Sequence, residues 1–511
     1  MINARFLSID CGTQSLRAFI FDARGELLAR SQIHFEPAYF SPHKGYAEQD
    51  ADFYWQTLVK ACQDLWQQGI DPNSVTAATL TTQRGTVVIV DEQGQPLYPA
   101  ILWLDERQAA QLPSLPLYWQ KLHQISGHQK TIYKLRKRAQ ANWFIAHRPE
   151  LWAKTYKFLL LSGYLTHKLT GEFNDAIASQ VGYIPFDYKK HQWQNRFDWR
   201  WQALGLTANK LPKVIQAGKL LGQLTVDAAQ ELGLPAGLAI VAAGADKACE
   251  VLGAGCINAS QGALSFGTTA TYNTVSRHYL SINPPMPPYP AALPHQYCLE
   301  TQIPQGFALV KYFKEQIAAN EIAEAQQGRD WLAVLEDWLI QSPAGANGLM
   351  WQPSLSVQAS GESISQGALL GLSTQHSKAD WYRALVEGLL FALKDGQVHV
   401  EQHTKQKISQ LFAAGGGSQS NAVMQTAADI FNMPIYKPHT SETSGLGAAM
   451  CAAVAMNLYP DLPSAVRAMS RTDTVFYPNS LQAAFYQRCY QNIYKPWVKS
   501  LVELYAQQRL T

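Results

Sequence analysis

The sequence predicts an α/β protein made of two domains with a similar plan. The chain has 511 residues, and a single hydrophobic core rarely grows beyond roughly 250 to 300 residues. Short apolar runs typical of strands alternate with segments of helical periodicity. A strand, a Gly-Thr turn and a second strand occur at Arg5 to Phe21 and again from Gly262, with the turns about 255 residues apart. We therefore predict domains over 1–250 and 251–511.

The composition excludes several classes of protein. Hydrophobic residues make up 47% of the chain and charged residues 16%, which is typical of a globular protein and not of a disordered one. The net charge of +3 gives no reason to expect a nucleic acid or a membrane as partner. No apolar run is long enough to span a bilayer and no signal peptide is recognisable, so we expect a cytoplasmic protein.

The cysteines and histidines point to no metal centre. The seven cysteines contain no CxxC pair, and the thirteen histidines contain no HExxH motif. Reduced thiols fit this pattern better than a disulfide framework or a zinc site.

The first turn is a candidate phosphate-binding loop. Gly12 permits backbone conformations that are closed to other residues, and Thr13, Gln14 and Ser15 add N–H groups and polar side chains. Asp10 ends the first strand, where it could hold a cation. An ordinary hairpin with a polar turn has the same pattern, so the turn alone leaves both interpretations open.

The rest of the first half alternates strands and helices. We predict, in order, a strand over 27–35, a helix over Asp50 to Gln68, strands over Val75 to Thr81 and 87–91, a short strand over 100–103, a mainly helical stretch over Arg136 to Leu169, and a helix over Thr225 to Leu232.

Polar residues follow two of these strands. Gln83, Arg84, Trp103, Asp105 and Arg107 stand at strand ends, which is where open sheets place their ligands. Surface charges beside one core tryptophan would give the same pattern.

Asp246 is the candidate catalytic base. It stands just beyond a buried-type strand, Leu238 to Gly244, and before a helix of small residues, Lys247 to Gly255. Aspartate is also a good helix cap, and the two roles are compatible.

The second half repeats the hairpin and adds a glycine turn. Gly267, Thr268 and Thr269 separate two apolar strands, as Gly12 and Thr13 do in the first half. A motif this short can also recur by chance, so this alternative remains open. We predict a proline-rich loop over 284–294, a helix from Phe307 to Ala319 begun by Gly306, a helix over Trp331 to Gln341, a strand over 348–355, a turn at 360–362 and a helix over Lys378 to Gln402.

The glycine turn lies between a strand, Leu411 to Ala414, and a helix, Ser420 to Phe431. Gly416, Gly417, Ser420 and Asn421 favour close approach of an anion or nucleotide to the backbone, although flexible turns also use glycine triplets. The helix opened by Gly445 and Gly447 is interpreted as closely packed, and the remainder of the chain as helical. Because GxxxxGK[ST] and GxGxxG after a strand are both missing, we expect neither a P-loop nor a Rossmann site.

Together these motifs resemble the FGGY family of carbohydrate kinases, whose fold is shared with actin, hexokinase and heat-shock chaperone ATPases. Asp10 to Arg17 resembles the first phosphate loop, Gly267 to Thr269 the second, Gly244 to Asp246 the catalytic-base segment, and Gly415 to Ser418 the adenosine turn. The stretch Gly367 to Glu387 resembles the second family signature. The first signature is poorly kept, since Gln140 stands in place of the usual lysine.

The resemblance implies two ribonuclease H-like domains, of the actin-like ATPase type, with a central cleft. It also implies transfer of the γ-phosphate of ATP to a hydroxyl of a small sugar or polyol, with Asp246 as base and with Mg²⁺ held through water by Asp10 and Asp246. The resemblance leaves open whether the protein forms a homodimer. The implied ATP-binding residues are Asp10, Gly12, Thr13, Gln14, Ser15, Gly267, Thr268, Gly306, Gly416, Gly417, Ser420 and Asn421, and the implied substrate-binding residues are Gln83, Arg84, Trp103, Asp105 and Asp246.

The substrate is less clear from the residues. Gln83, Arg84, Trp103 and Asp105 resemble the glycerol-kinase pattern more than the Met-His of xylulose kinases, yet Gly85 replaces the glutamate of glycerol kinases. Losing that acceptor costs about 1 to 3 kcal/mol per unmet hydroxyl. We expect a larger sugar, pentulose-like rather than glycerol. A glycerol-kinase-like polyol kinase and a non-catalytic actin-like ATP-binding protein are the alternatives.

Overall fold

The computed structural model describes residues 4–125, 127, 129–282, 286–353 and 367–508. The chain forms two units. Unit 1 comprises Met1–Gly253, Tyr289–Tyr297 and Ser444–Ser470, and unit 2 comprises Ala254–Pro288, Cys298–Thr443 and Arg471–Thr511. The bounds 1–250 and 251–511 stay predictions for the domains, and the structure adds that two later segments belong with unit 1.

The strands of the described residues are, in chain order, β1 Arg5–Cys11, β2 Ser15–Asp22, β3 Leu27–His34, β4 Glu48–Gln49, β5 Val75–Thr82, β6 Val87–Val90, β7 Ala100–Ile101, β8 Lys157–Leu160, β9 Asn174–Ala176, β10 Phe186–Asp187, β11 Gln192–Trp193, β12 Lys213–Ile215, β13 Leu220–Gln223, β14 Ala239–Ala242, β15 Gln261–Phe266, β16 Ala270–Ser276, β17 Tyr289–Pro290, β18 Tyr297–Ile303, β19 Met350–Gln352, β20 Ala368–Leu370, β21 Gln410–Ala414, β22 Ile435–Pro438 and β23 Thr472–Phe476.

The α-helices of the same residues are α1 Ala51–Gln67, α2 Leu117–Ile125, α3 Gln129–Arg138, α4 Gln140–His147, α5 Pro149–Lys154, α6 Leu161–Thr170, α7 Trp199–Ala203, α8 Val226–Leu232, α9 Asp246–Ala254, α10 Ala308–Tyr312, α11 Ala319–Gln326, α12 Trp331–Gln341, α13 Lys378–Thr404, α14 Asn421–Phe431, α15 Thr443–Ala455, α16 Leu462–Met469, α17 Ser480–Cys489 and α18 Lys495–Gln508.

The main sheets of the two units share one strand order. In unit 1 the order is β3-β2-β1-β5-β14-β13, and in unit 2 six strands follow as β18-β16-β15-β21-β22-β23. Each opening hairpin is antiparallel, and its first strand then pairs in parallel with a later strand, β5 or β21. The predicted α/β class with a repeated plan is confirmed.

This order places the candidate residues of unit 1 at one edge of the sheet. β1, β5 and β14 run parallel to one another, so their carboxyl ends meet on the same side. The loop after Cys11, the pair Gln83 and Arg84, and Asp246 follow these three strand ends. Open sheets bind ligands at such an edge.

Local capping explains where several helices begin. Asp50 caps α1 by accepting the N–H of Asp52, Thr225 caps α8, and Ser420 caps α14. Such side chains satisfy N–H groups that the first helical turn leaves unbonded.

The predicted helical stretches contain two strands and one irregularity. Lys157–Leu160 pairs antiparallel with Val87–Val90; a short apolar run such as this does not distinguish strand from helix by periodicity. Thr472–Phe476 pairs with Ile435–Pro438 at the edge of the unit 2 sheet. The predicted helix Phe307 to Ala319 is interrupted by a π-helical turn, Phe313–Ile317.

Helix α15 packs closely in unit 1. A Cβ added to Gly445 would lie 2.5 Å from Cδ2 of Phe19, and one added to Gly447 would lie 2.0 Å from the carbonyl oxygen of Cys249. The Ser8 hydroxyl donates to the Gly445 carbonyl at 2.7 Å. The small residues therefore allow α15 to approach β1 and the helix that begins at Asp246, as the sequence predicted.

The predicted turn at 360–362 lies outside the described residues, and so does part of the proline-rich stretch 284–294. Among the residues that the structure describes, none of the helices combines the length and apolar character needed to cross a membrane.

Candidate active site

The first Gly-Thr turn of unit 1 is a tight loop between β1 and β2. The N–H of Gly12 donates to the carbonyl of Ser15 at 3.0 Å. Asp10 lies opposite Arg17 in the strand register, and Nη2 of Arg17 is 2.8 Å from Oδ2 of Asp10. The side chain of Asp10 is buried and that of Arg17 is partly exposed. Arg17 therefore compensates a buried negative charge next to the loop.

Thr13 joins the loop to the candidate substrate side. Its hydroxyl donates to Oε1 of Gln83 at 2.9 Å and accepts the indole N–H of Trp103 at 2.9 Å. The backbone N–H of Gln83 in turn donates to the carbonyl of Cys11 at 2.8 Å. Gln83 is buried, whereas Trp103 is 48% exposed. The candidate phosphate loop, the end of β5 and the exposed indole ring are therefore joined by hydrogen bonds into one group.

Asp246 and Arg84 form the second part of the site. Asp246 is the first residue of α9, and its Oδ1 accepts the N–H of Lys247 at 2.8 Å. Nε of Arg84 lies 3.8 Å from the same oxygen, and the side chains are 20% and 31% exposed for Arg84 and Asp246. Burial raises the pKa of Asp246, and the charges of Arg84 and Lys247 oppose that shift. A carboxylate with a raised pKa is a better proton acceptor.

Asp105 is occupied by contacts within the protein. Its Oδ2 accepts the N–H of Ala47 and an Nη2 proton of Arg107, both at 2.7 Å, and its Oδ1 accepts Nε of Arg107 at 2.7 Å. Arg107 also donates to Glu48 at 2.6 Å. These contacts fix the chain that carries Trp103. The substrate-binding role of Asp105 stays a prediction, and the geometry gives it a positioning role.

Gly85 has a conformation that suits glycine. Its φ is +72°, and an added Cβ would lie 3.5 Å from Cβ of Trp103 and 3.6 Å from the carbonyl oxygen of Val181. The space is therefore sufficient for a Cβ, but the left-handed backbone disfavours a larger residue. A glutamate at this position would be strained.

Asp175 supports the segment that carries the candidate base, Asp246, and the sequence analysis did not identify it. It is fully buried, and it accepts hydrogen bonds from Ser162 at 2.9 Å, from Gln180 at 2.8 Å and from the N–H of Ala176 at 2.7 Å. These hydrogen bonds hold the loop that contains Ala178. The Ala178 carbonyl accepts the N–H of Ala245, the residue before Asp246, at 3.1 Å. Burial raises the pKa of Asp175 to about 7.

In unit 2 the second Gly-Thr turn packs against Gly306. The N–H of Phe307 donates to the carbonyl of Gly267 at 3.0 Å, and that of Ala308 to the carbonyl of Thr268 at 3.4 Å. A Cβ on Gly306 would lie 2.1 Å from the nitrogen of Ala270. Glycine is thus required for the start of α10 to reach the turn.

The glycine turn of unit 2 lies against the same loop. Gly415 has φ +80°, and an added Cβ would lie 3.2 Å from the nitrogen of Gly267; a Cβ on Gly417 would lie 2.8 Å from Cδ1 of Phe307. Gly416 has open space around it. The structure therefore brings Gly267, Gly306 and Gly415–Gly417 together within unit 2.

The helix after the glycine turn begins beside a carboxylate that the sequence did not reveal. Ser420 donates to Glu336, and the N–H of Ala422 donates to Oε1 of Glu336 at 2.8 Å. Oδ1 of Asn421 accepts Nζ of Lys437 at 3.1 Å. The side chains of Ser420 and Asn421 therefore shape the turn as well as being candidates for nucleotide binding.

Magnesium fits Asp10 and Asp246 only through water. Within the described ranges, no group of three or more His, Cys, Asp or Glu side chains could hold a metal ion. Mg²⁺ usually keeps several waters and uses one or two carboxylates together with substrate phosphates, so single carboxylates at the strand ends suit it.

Comparisons with known proteins identify a family for the chain. Models of the FGGY family of carbohydrate kinases match residues 5–253 with the N-terminal domain and residues 262–456 with the C-terminal domain. A xylulose kinase from Staphylococcus epidermidis is 27% identical over 518 residues, which cover 99% of each chain.

Two solved structures share the fold. Ligand-bound xylulose kinase from Lactobacillus acidophilus has a TM-score of 0.81 at 21% identity, and gluconate kinase from the same organism has 0.80 at 20%; each comparison covers 98% of both chains. With the sheet order above, they confirm the predicted actin-like ATPase fold. Because the two proteins are named for different substrates, the fold alone does not identify the sugar.

Replacing Asp175 with Asn should change how stability depends on pH. A carboxyl whose pKa is higher in the folded state loses stabilisation as pH rises from its unfolded value near 4 towards about 7. Asn cannot ionise, so Asp175→Asn should gain stability relative to the wild type between pH 5 and pH 8. Urea unfolding of both proteins at the two pH values measures this, with Asp227→Asn, an exposed residue, as control. An equal stability difference at both pH values would contradict the prediction.

Proposed function

The chain belongs to the FGGY family of carbohydrate kinases, and we propose that it phosphorylates a pentulose or a similar small ketose. As a family member it is a phosphotransferase that uses ATP and has an alcohol group of a sugar as acceptor. The observation that carries the proposed chemistry is the placement of Asp246 beside Arg84, at the strand edge that also holds the phosphate loop. The full-length similarity to xylulose kinase supports the choice of a pentulose.

Asp246 is the proposed base for the sugar hydroxyl. Its carboxylate is partly exposed and the burial of its surroundings raises its pKa, so an oxygen can accept the hydroxyl proton. Arg84 lies beside it and can donate an N–H to a neighbouring sugar oxygen. We propose that Trp103 provides an apolar wall through its exposed indole ring, while Gln83 and Asp105 hold the surrounding chain.

The nucleotide is proposed to bind through backbone N–H groups and hydroxyls. The residues proposed to supply them are Gly12 to Ser15, Gly267, Thr268, Gly306, Gly416, Gly417, Ser420 and Asn421. Phosphoryl transfer depends mainly on positioning and charge neutralisation. Mg²⁺, held through water by Asp10 and Asp246, would neutralise charge on the phosphates.

Glycerol is disfavoured as the substrate. Position 85 is a glycine with no side chain, so a small triol would have no carboxylate there to accept its hydroxyls. A longer ketose can reach Arg84 and Trp103 instead.

A substrate screen tests the proposed function. ADP release should be measured with pentuloses, hexuloses, deoxysugars and alditols, including glycerol, at saturating MgATP. We expect the highest kcat/KM for a pentulose and the lowest for glycerol. The absence of sugar-dependent turnover with every compound would contradict the kinase activity, and a clear preference for glycerol would contradict the choice of substrate.

Replacing Asp246 with Asn should lower kcat by about 10² to 10⁴, because the amide cannot accept the hydroxyl proton. ATP affinity should change much less than kcat, since Asp246 is proposed to reach the nucleotide only through water and Mg²⁺, and the direct nucleotide contacts are made by other residues. Turnover and ATP binding of Asp246→Asn should be compared with those of Asp227→Asn. A fully active Asp246→Asn would remove the residue from the role of base.

A further inference from the structure

A short segment from the second half of the sequence completes unit 1. Tyr289–Tyr297, here called the crossing segment, belongs with unit 1, although Ala254–Pro288 before it and Cys298–Thr443 after it belong with unit 2. The sequence suggested only a proline-rich loop here.

The crossing segment contacts unit 1 through its last residue, Tyr297. Its residues Ala291 to Leu293 are buried. The Tyr297 hydroxyl donates to the carbonyl of Lys189 at 2.7 Å, and the Tyr297 ring lies 4.9 Å from the ring of His191. The loop is closed by a hydrogen bond from the N–H of Ala291 to the carbonyl of Gln296 at 2.9 Å.

The start of the crossing segment reaches the candidate sugar site. The ring of Tyr289 lies over the guanidinium of Arg84, with Cζ 5.0 Å from the ring centroid. Nε of the same arginine is 3.8 Å from Oδ1 of Asp246. An arginine held against an aromatic face has fewer orientations, since the ring attracts the planar cation. Arg84 therefore contacts Tyr289 on one side and lies near the proposed base, Asp246, on the other.

We propose that Tyr289 is a positioning residue for sugar binding, which holds Arg84 so that its N–H groups face the sugar beside Asp246. The inference rests on the proposed function and goes beyond it, because it assigns a role at the sugar site to the crossing segment. A residue that acts through Arg84 should affect binding of the sugar more than binding of the nucleotide.

Steady-state kinetics test this role with the best sugar from the screen. Tyr289→Leu should raise the KM for the sugar about 3- to 30-fold, the range of a partly buried cation–π contact, with kcat and the KM for ATP within about twofold of wild type. Tyr289→Phe keeps the ring and should restore the wild-type KM. Tyr312→Leu, at an exposed position of unit 2, is the matched control. An unchanged sugar KM in Tyr289→Leu, or equal rises for sugar and ATP, would overturn the proposal.

A second measurement needs no turnover. In protein labelled with ¹⁵N-arginine, the Nε–H signal of Arg84 can be assigned from its loss in Arg84→Lys. The ring current of Tyr289 should shift this signal in the wild type and in Tyr289→Phe, and the shift should disappear in Tyr289→Leu. If the wild type phosphorylates no sugar, the proposed function fails while this signal still decides whether Tyr289 holds Arg84. An identical Arg84 signal in all three proteins would overturn the proposal.

Discussion

The hydroxyl of Thr13 is the contact on which the geometry of unit 1 depends. It donates to Gln83 and accepts from Trp103, so one atom links the candidate phosphate loop, the end of β5 and the exposed indole ring. A hydrogen bond of this kind contributes about 0.5 to 1.5 kcal/mol. Its importance lies in position, because it ties the residues proposed for ATP to those proposed for the sugar.

The four aspartates of the candidate site differ in exposure and in partners, and this difference supports Asp246 as the proposed base. The side chains of Asp10 and Asp105 are each 2% exposed and are compensated by Arg17 and Arg107. Asp175 is buried among neutral donors, and its pKa is raised to about 7. Asp246 is 31% exposed, so among these four only its carboxylate can readily meet a substrate hydroxyl.

Much of this arrangement could be predicted because its signals are local. Alternating apolar residues around Gly12 and Gly267 identified both hairpins, and apolar residues at helical spacing identified helices such as the one that Asp50 caps. Lys157–Leu160 was predicted to be part of a helical stretch. It is a strand because it pairs with Val87–Val90, and this pairing is not visible in the local sequence. Propensity yields to tertiary context in such short segments.

The supporting residues could not be predicted, since each acts over a long sequence distance. Asp175 supports the segment of Asp246 through the loop at Ala178, and Glu336 meets the start of α14. Tyr289 reaches Arg84 only because the crossing segment folds onto unit 1. No neighbouring motif marks any of these positions, so their roles are visible only in the folded chain.

The central claim, that Thr13 couples the ATP loop to the sugar side, is tested most directly by comparing Thr13→Val with Thr13→Ser. Valine has a similar shape but no hydroxyl, so Thr13→Val should raise KM for both ATP and sugar by roughly 2- to 12-fold. Thr13→Ser keeps the hydroxyl and should remain near wild type. A rise in KM for ATP alone in Thr13→Val would contradict the coupling.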